Sequence, residues 1–415
     1  MAGSHAHRPG HGTHGHGTHG HGHGDAADRP VPVARGPRTV LLGLLAVAGL
    51  LTIVGVVGLW PDGEKVDSLS REVSFAAPGV TFPRADVLAV QPACEDLTDD
   101  VGCGRVTVQV TEGVGIESRL EVNVPPDVLG AGLAEGDTVK LIRTPAQAGQ
   151  EPTYNYFGTV RSAPVALLFA VFVVVVLAVA RLRGLLALVG LAFSAAVILT
   201  FMLPALLSGQ NGPLVGVVGS SAIMFVVLYT THGFSLRTSA ALGGTLVGIA
   251  LTAGLSILAV GGSRLTGVVD DGDRILSTLA GDLSFQGLLT CAIIIAGLGV
   301  LNDVTITQAS AVWEIRGAAP AISRRRVFVS GMRIGRDHIA STIYTIVFAY
   351  AGTALTILLV LSLYDRPFLD LLATEEIGQE VVRTLATSIG LVLAVPLTTL
   401  IAVATLPPAT TSGTT

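Results

Sequence analysis

Apolar residues along this chain gather into eight unbroken stretches, at residues 40–60, 163–180, 184–203, 214–231, 239–260, 287–310, 339–363 and 385–406, and do not alternate with polar ones. Each is roughly 18 to 25 residues long, and at about 1.5 Å per residue a helix of that length crosses about 30 Å of hydrocarbon. Within hydrocarbon the backbone satisfies its own polar groups only as a helix or a closed barrel, and continuous apolar runs select helices. The pattern predicts an α-helical polytopic membrane protein of about eight transmembrane helices.

Between the first two stretches the pattern changes. Residues 61–160 are hydrophilic, with short strand-like runs at 105–110, 120–124 and 138–142 separated by Gly, Pro and Asp turns. They predict a small extracytoplasmic β-rich domain, an OB-like barrel or a sandwich. Cys94 and Cys103 enclose an acidic loop there. Outside the cytoplasm such a pair is expected to form a disulfide; a metal pair is disfavoured because the interval contains no histidine.

Residues 1–38 read as a disordered, Gly-rich cytoplasmic tail carrying His5, His7, His11, His14, His16, His19, His21 and His23. Those imidazoles are candidates for weak transition-metal binding, without neighbours to orient them. Residues 39–60 read as an uncleaved signal anchor, because the apolar run exceeds the roughly 7 to 15 residues of a secretory signal and ends at Trp60-Pro61. Residues 161–406 then form a seven-helix membrane domain, followed by a cytoplasmic tail at 407–415.

Composition strengthens the membrane reading: 50% of the 415 residues are hydrophobic and only 13% charged, where a soluble chain carries about a quarter. The placement of charge matters more than the net value of -5. If the N-terminus is inside, the inner loops hold Arg181, Arg183, Arg237, Arg316, Arg324, Arg325, Arg326, Arg333 and Arg336. The outer loops hold Asp270, Asp271, Asp273 and Asp282, then Asp365, Asp370, Glu375, Glu376 and Glu380. Short Arg-rich loops stay cytoplasmic, so both termini are predicted inside and residues 61–160 outside. The Asp270–Asp273 cluster lacks the spacing of a calcium loop and reads as an acidic outer loop.

Lys65 and Lys140 are the only lysines, and both lie within residues 61–160. No membrane or cytoplasmic segment therefore supplies a P-loop or Schiff-base lysine. Zinc-protease, nucleophile-elbow and Walker motifs are absent, and Cys291 sits in an apolar stretch. The expectation is no enzyme, no cofactor and no nucleic-acid partner.

Candidate chemistry concentrates in residues 297–314. On a continuous helix Asp303, Thr307, Ser310 and Glu314 form one stripe, at spacings of four, three and four. A carboxylate at the centre of a membrane helix costs roughly 2.5 to 3.5 kcal/mol, so Asp303 needs a reason. In one reading Asn302, Asp303, Thr305, Thr307 and Gln308 contact a cation, a proton or a polar solute. In the other, the membrane ends near Leu301 and Asn302 or Asp303 merely caps an interfacial helix starting at Val304. Arg336, Asp337 and His338, just before the seventh stretch, join the candidate pathway.

These residues carry a family resemblance. The stretches GVLNDVTITQAS at 299–310, GRDHIASTIYTIVFAYAG at 335–352 and EEIGQEVVRTLATSIGLVLAVP at 375–396 resemble the YibE/F-like family of bacterial multipass membrane proteins. The similarity covers roughly residues 161–406, and in that family aspartates stand where Asp303 and Asp337 do. The resemblance implies a permease-like module in a bacterial plasma membrane. The expected function is a secondary transporter or permease for a small solute or ion, with the lipid bilayer as its surroundings and the outer domain as a gate. The alternative is a non-transporting scaffold whose outer domain binds an envelope partner.

Overall fold

The computed structural model describes residues 35–72, 76–91, 104–146, 151–363 and 367–409. The eight N-terminal histidines, Cys94, Cys103 and Asp365 lie outside them, and with them the expected metal binding and disulfide.

Helix α1 (Arg35–Gly58) leads into a short α2 (Gly63–Glu72) and then the sheet domain. Its strands are β1 (Arg84–Val90), β2 (Arg105–Val110), β3 (Arg119–Asn123), β4 (Thr138–Thr144) and β5 (Thr153–Thr159), with α3 (Pro126–Gly130) between β3 and β4. Neighbouring strands pair antiparallel in the order β3-β2-β1-β4-β5. The end strands β3 and β5 also touch, so among the described residues a single sheet curls toward closure in place of two stacked sheets. Alternation drives it: Val106, Val108 and Val110 of β2 are buried while the residues between them are partly exposed. With Ala85, Val87, Val122, Val139 and Leu141 they form a core separate from that of the helices.

The helical part continues as α4 (Ser162–Val197), a π turn (Ile198–Met202), α5 (Leu203–Leu207), α6 (Gly212–His232), α7 (Leu236–Gly262), α8 (Asp271–Leu279) and α9 (Phe285–Ala318). Then come α10 (Arg324–Thr353), α11 (Leu355–Ser362), α12 (Phe368–Leu372) and α13 (Glu375–Thr405). Among the described residues six helices are long and apolar enough to cross a membrane, or seven if α10 and α11, bent by 66°, make one span. One of the six, Ser162–Leu207, is 46 residues long and joins the second and third apolar stretches. It is broken at Arg181, whose φ of 51 and ψ of -130 are not helical. A Cβ at Gly184 would stand 2.7 Å from the carbonyl of Val176. In a straight helix eight residues advance about 12 Å, so the chain doubles back at this point.

Several helices outrun the apolar stretches that announced them. Helix α10 begins at Arg324 and α13 at Glu375, so Arg324, Arg325, Arg326, Arg333, Arg336, Glu375, Glu376 and Glu380 are helical and not loop residues. Hydropathy marks only the apolar middle of a helix, whereas its ends are set by capping. Ser323, for example, accepts the backbone N–H of Arg326 at the start of α10. Likewise Asp270 and Asp273 form a reciprocal capping box that starts α8, which corrects their reading as a plain acidic loop.

Helices α7, α9 and α13 form the centre of the bundle. Helices α7 and α13 interlock reciprocally, because Thr398 occupies the space a Cβ on Gly244 would need and Thr252 does the same at Gly390. Small residues permit such close approach where hydrocarbon supplies no drive for helices to associate. At one end of the bundle Trp60 lies 6.0 Å from Phe201 between ring centroids, and Lys65 reaches Asp282 at 3.4 Å. The opposite end collects Arg183, His232 and Arg237, together with Arg324, whose guanidinium donates to the carbonyl of Leu406.

Candidate functional site

Helix α9 is continuous from Phe285 to Ala318, so Asn302 and Asp303 stand in its interior and start no helix. The capping alternative falls on that ground. The polar stretch divides by face. Asp303, Thr307 and Glu314 are exposed and Ser310 is half-buried, which keeps the predicted stripe together. Thr305 and Gln308 turn inward and are buried. Half-buried Asn302 keeps its side-chain oxygen without a hydrogen-bond partner among the described residues.

The inward pair builds the scaffold. Thr305 shares a hydrogen bond of 2.7 Å with Thr245 of α7. Gln308 donates from Nε2 to the Gly331 carbonyl of α10 and to Oγ1 of Thr399 on α13, both at 2.8 Å. A Cβ at Gly335 would meet Val395 at 2.7 Å and the Gln308 oxygen at 3.0 Å, so α10 lies this close only because glycine stands there. One turn beyond that contact, α10 presents His338 to α9. Its Nε2 faces Oδ2 of Asp303 at 3.6 Å, an ion-pair distance slightly too long for a hydrogen bond. The Asp303 side chain is 68% exposed, so the pair adds at most about 1 kcal/mol of stability and its importance is positional.

Asp303 lines a concavity of about 490 Å³ with Thr307 and Ser310 of α9, Arg183, Thr231, His232 and Arg237. Four pieces of chain converge on it. The reversal at Arg181 delivers Arg183, and the C-terminal turn of α6 delivers Thr231 and His232. Gly233, at a φ of 73, then turns the chain. Ser235 caps α7 by accepting the N–H of Thr238, which brings Arg237 into the first turn. Arg237 also approaches Glu314 at 4.0 Å. From the sequence Arg183 and Arg237 read as orientation residues alone, and His232 carries no assignment. No local pattern ties the three to Asp303, since they meet it only through helix packing.

The remaining candidates lie apart. Arg336 and Asp337 are exposed, with no hydrogen-bond or ion-pair partner among the described residues. Asp337 does not reach the concavity, and His338 is the α10 residue that faces Asp303. A second polar pair stands on α13, where Arg383 donates to Glu380 at 2.9 Å with each side chain about one-quarter exposed, 25% and 24%. It borders an apolar concavity of about 290 Å³ between α13 and the bend of α10, with Tyr350 on the facing wall. Among the described residues no group of three or more His, Cys, Asp or Glu side chains is placed to hold a metal.

A family model described as YibE/F-like protein matches residues 168–408. No curated protein and no solved structure matches the chain.

Proposed function

The chain belongs to the YibE/F-like family, and with that as premise we propose that it is a secondary transporter or permease for a small solute or ion whose pathway passes Asp303. One observation carries the reading: an open polar concavity of about 490 Å³ is set into the side of a helix that continues through the centre of the bundle. An ionisable group on a membrane helix is retained at a cost, and it characteristically marks a solute or ion route.

The pathway implies a topology. Eight crossings are counted if both arms of Ser162–Leu207 span and α10 with α11 spans once. Leu207 and Lys65 border one small cavity together with Asp282. A single crossing by Ser162–Leu207 would put Leu207 on the far side, so the two-arm count fits better. The Arg-rich end then faces the cytoplasm of a bacterial plasma membrane, and the sheet domain lies outside as a gate or capture module.

The test is uptake. Full-length protein in proteoliposomes, offered a panel of small inorganic and organic ions and polar solutes, is expected to take up at least one of them. Asp303→Asn should lower that uptake by about tenfold, equivalent to about 1.4 kcal/mol. Uptake indifferent to the substitution removes Asp303 from the pathway. No uptake of any panel member by intact protein overturns the permease and leaves the scaffold.

A further inference from the structure

Hydrogen-bond donors outnumber acceptors around the Asp303 concavity. Arg183 lines it with no carboxylate or carbonyl partner among the described residues. Arg237 is held only loosely, at 4.0 Å from a Glu314 side chain that is 80% exposed. Asp303, the single carboxylate in the lining, already faces His338.

The hydroxyls point the same way. Ser256, Thr342 and Thr399, buried in the same bundle, each donate to the carbonyl four residues back. This is the usual way a membrane helix satisfies a hydroxyl. Thr307 and Ser310, on the concavity wall, make no such bond among the described residues, which leaves both O–H groups free to donate. Thr231 by contrast is engaged, donating to the Val227 carbonyl at 2.6 Å.

Two guanidinium forks and two free hydroxyls match the oxygen atoms of a phosphate or carboxylate group. A cation entering the same space meets two guanidiniums and one carboxylate in the lining, with Glu314 outside it at 4.0 Å from Arg237. We propose that the concavity is an oxyanion site, with Arg183 and Arg237 as charge anchors and Thr307 and Ser310 as hydroxyl donors. This names the substrate class of the site through which the permease reading runs. Two sources present that chemistry: a free anion in water, and the headgroup of an anionic lipid in the adjoining leaflet.

Full-length protein in nanodiscs of neutral phosphatidylcholine is titrated with inorganic phosphate. In parallel, nanodiscs containing phosphatidylglycerol are assayed for lipid that stays bound in native mass spectrometry. Saturable phosphate binding, weakened about tenfold by Arg183→Gln and by Arg237→Gln but not by Arg333→Gln, upholds the free-anion form. Retained phosphatidylglycerol that the same two substitutions release, without phosphate binding, upholds the headgroup form. Thr307→Val combined with Ser310→Ala should weaken the bound species several-fold with all charges kept, and melting curves identify any variant that fails to fold. Neither ligand bound, or binding indifferent to both arginines, overturns the site. Uptake without anion binding would defeat the substrate class and spare the permease, whereas phosphate bound but never moved would do the reverse.

Discussion

The two faces of α9 between residues 302 and 314 are built from the same kinds of residue and meet opposite fates. Gln308 is 2% exposed and its amide nitrogen reaches two acceptors, binding α10 and α13 to α9. Asp303, five residues earlier, is open on one side and meets a single partner among the described residues, at 3.6 Å. Residue type does not separate the two kinds of polar position on this helix. The difference lies in whether the hydrogen-bonding capacity is consumed inside the bundle or left facing an open space. On that criterion Thr305 and Gln308, which the sequence offers as contacts for a solute, belong to the scaffold, and Thr307 and Ser310 stay with Asp303.

The contrast breaks or sharpens under substitution, beginning with the largest expected effect. Gln308→Leu removes two buried hydrogen bonds that tie α9 to α10 and α13, which should cost roughly 1 to 3 kcal/mol. Thermal unfolding in detergent or nanodiscs should fall accordingly, and a melting curve equal to that of the parent would sink the scaffold role. Gly335→Val forces α10 away from Val395 and Gln308 and should cost about 1 to 3 kcal/mol as overpacking. A cysteine crosslink engineered between positions 303 and 338 should form less readily in that variant, because displacement of α10 separates the pair. Asp303→Asn is expected to change stability by less than about 1 kcal/mol, since a largely exposed pair contributes little, while lowering uptake. If instead it unfolds the protein as Gln308→Leu does, the two faces do not differ in kind.

The two polar clusters differ in how far the sequence announced them. The stripe through Asp303, Thr307, Ser310 and Glu314 was readable because spacings of four and three residues mean one helix face whatever surrounds it. Glu380 reads from the sequence as an outer-loop acid and Arg383 carries no assignment, because the last apolar stretch begins only at Leu385. Helix α13 in fact begins at Glu375, with Glu376 also in its first turn. The signal for the pair is its spacing: three residues apart at the entry to an apolar run, Glu380 and Arg383 fall on one helical turn.

The sheet domain shows the same division at smaller scale. The runs at β2, β3 and β4 were legible from alternation and turn residues, whereas β1 and β5 were not singled out. Pairing order is non-local: β1 lies between β2 and β4, and β4 carries β5 at the edge. Alternation says that a strand has an inside face, but not which strand lies beside it.

By itself, then, the sequence determined the apolar helices, a polar domain between the first and second of them, the family, and the stripe that carries Asp303. Hydrophobic length and helical spacing are local quantities, and neither depends on what a segment packs against. The tertiary structure alone decided that α9 is unbroken through Asp303, that His338 and not Asp337 faces it, and that Arg183 and Arg237 share its concavity. Those facts depend on side chains far apart in the chain, such as Gln308 and Thr399, separated by 91 residues, finding each other once the helices have packed.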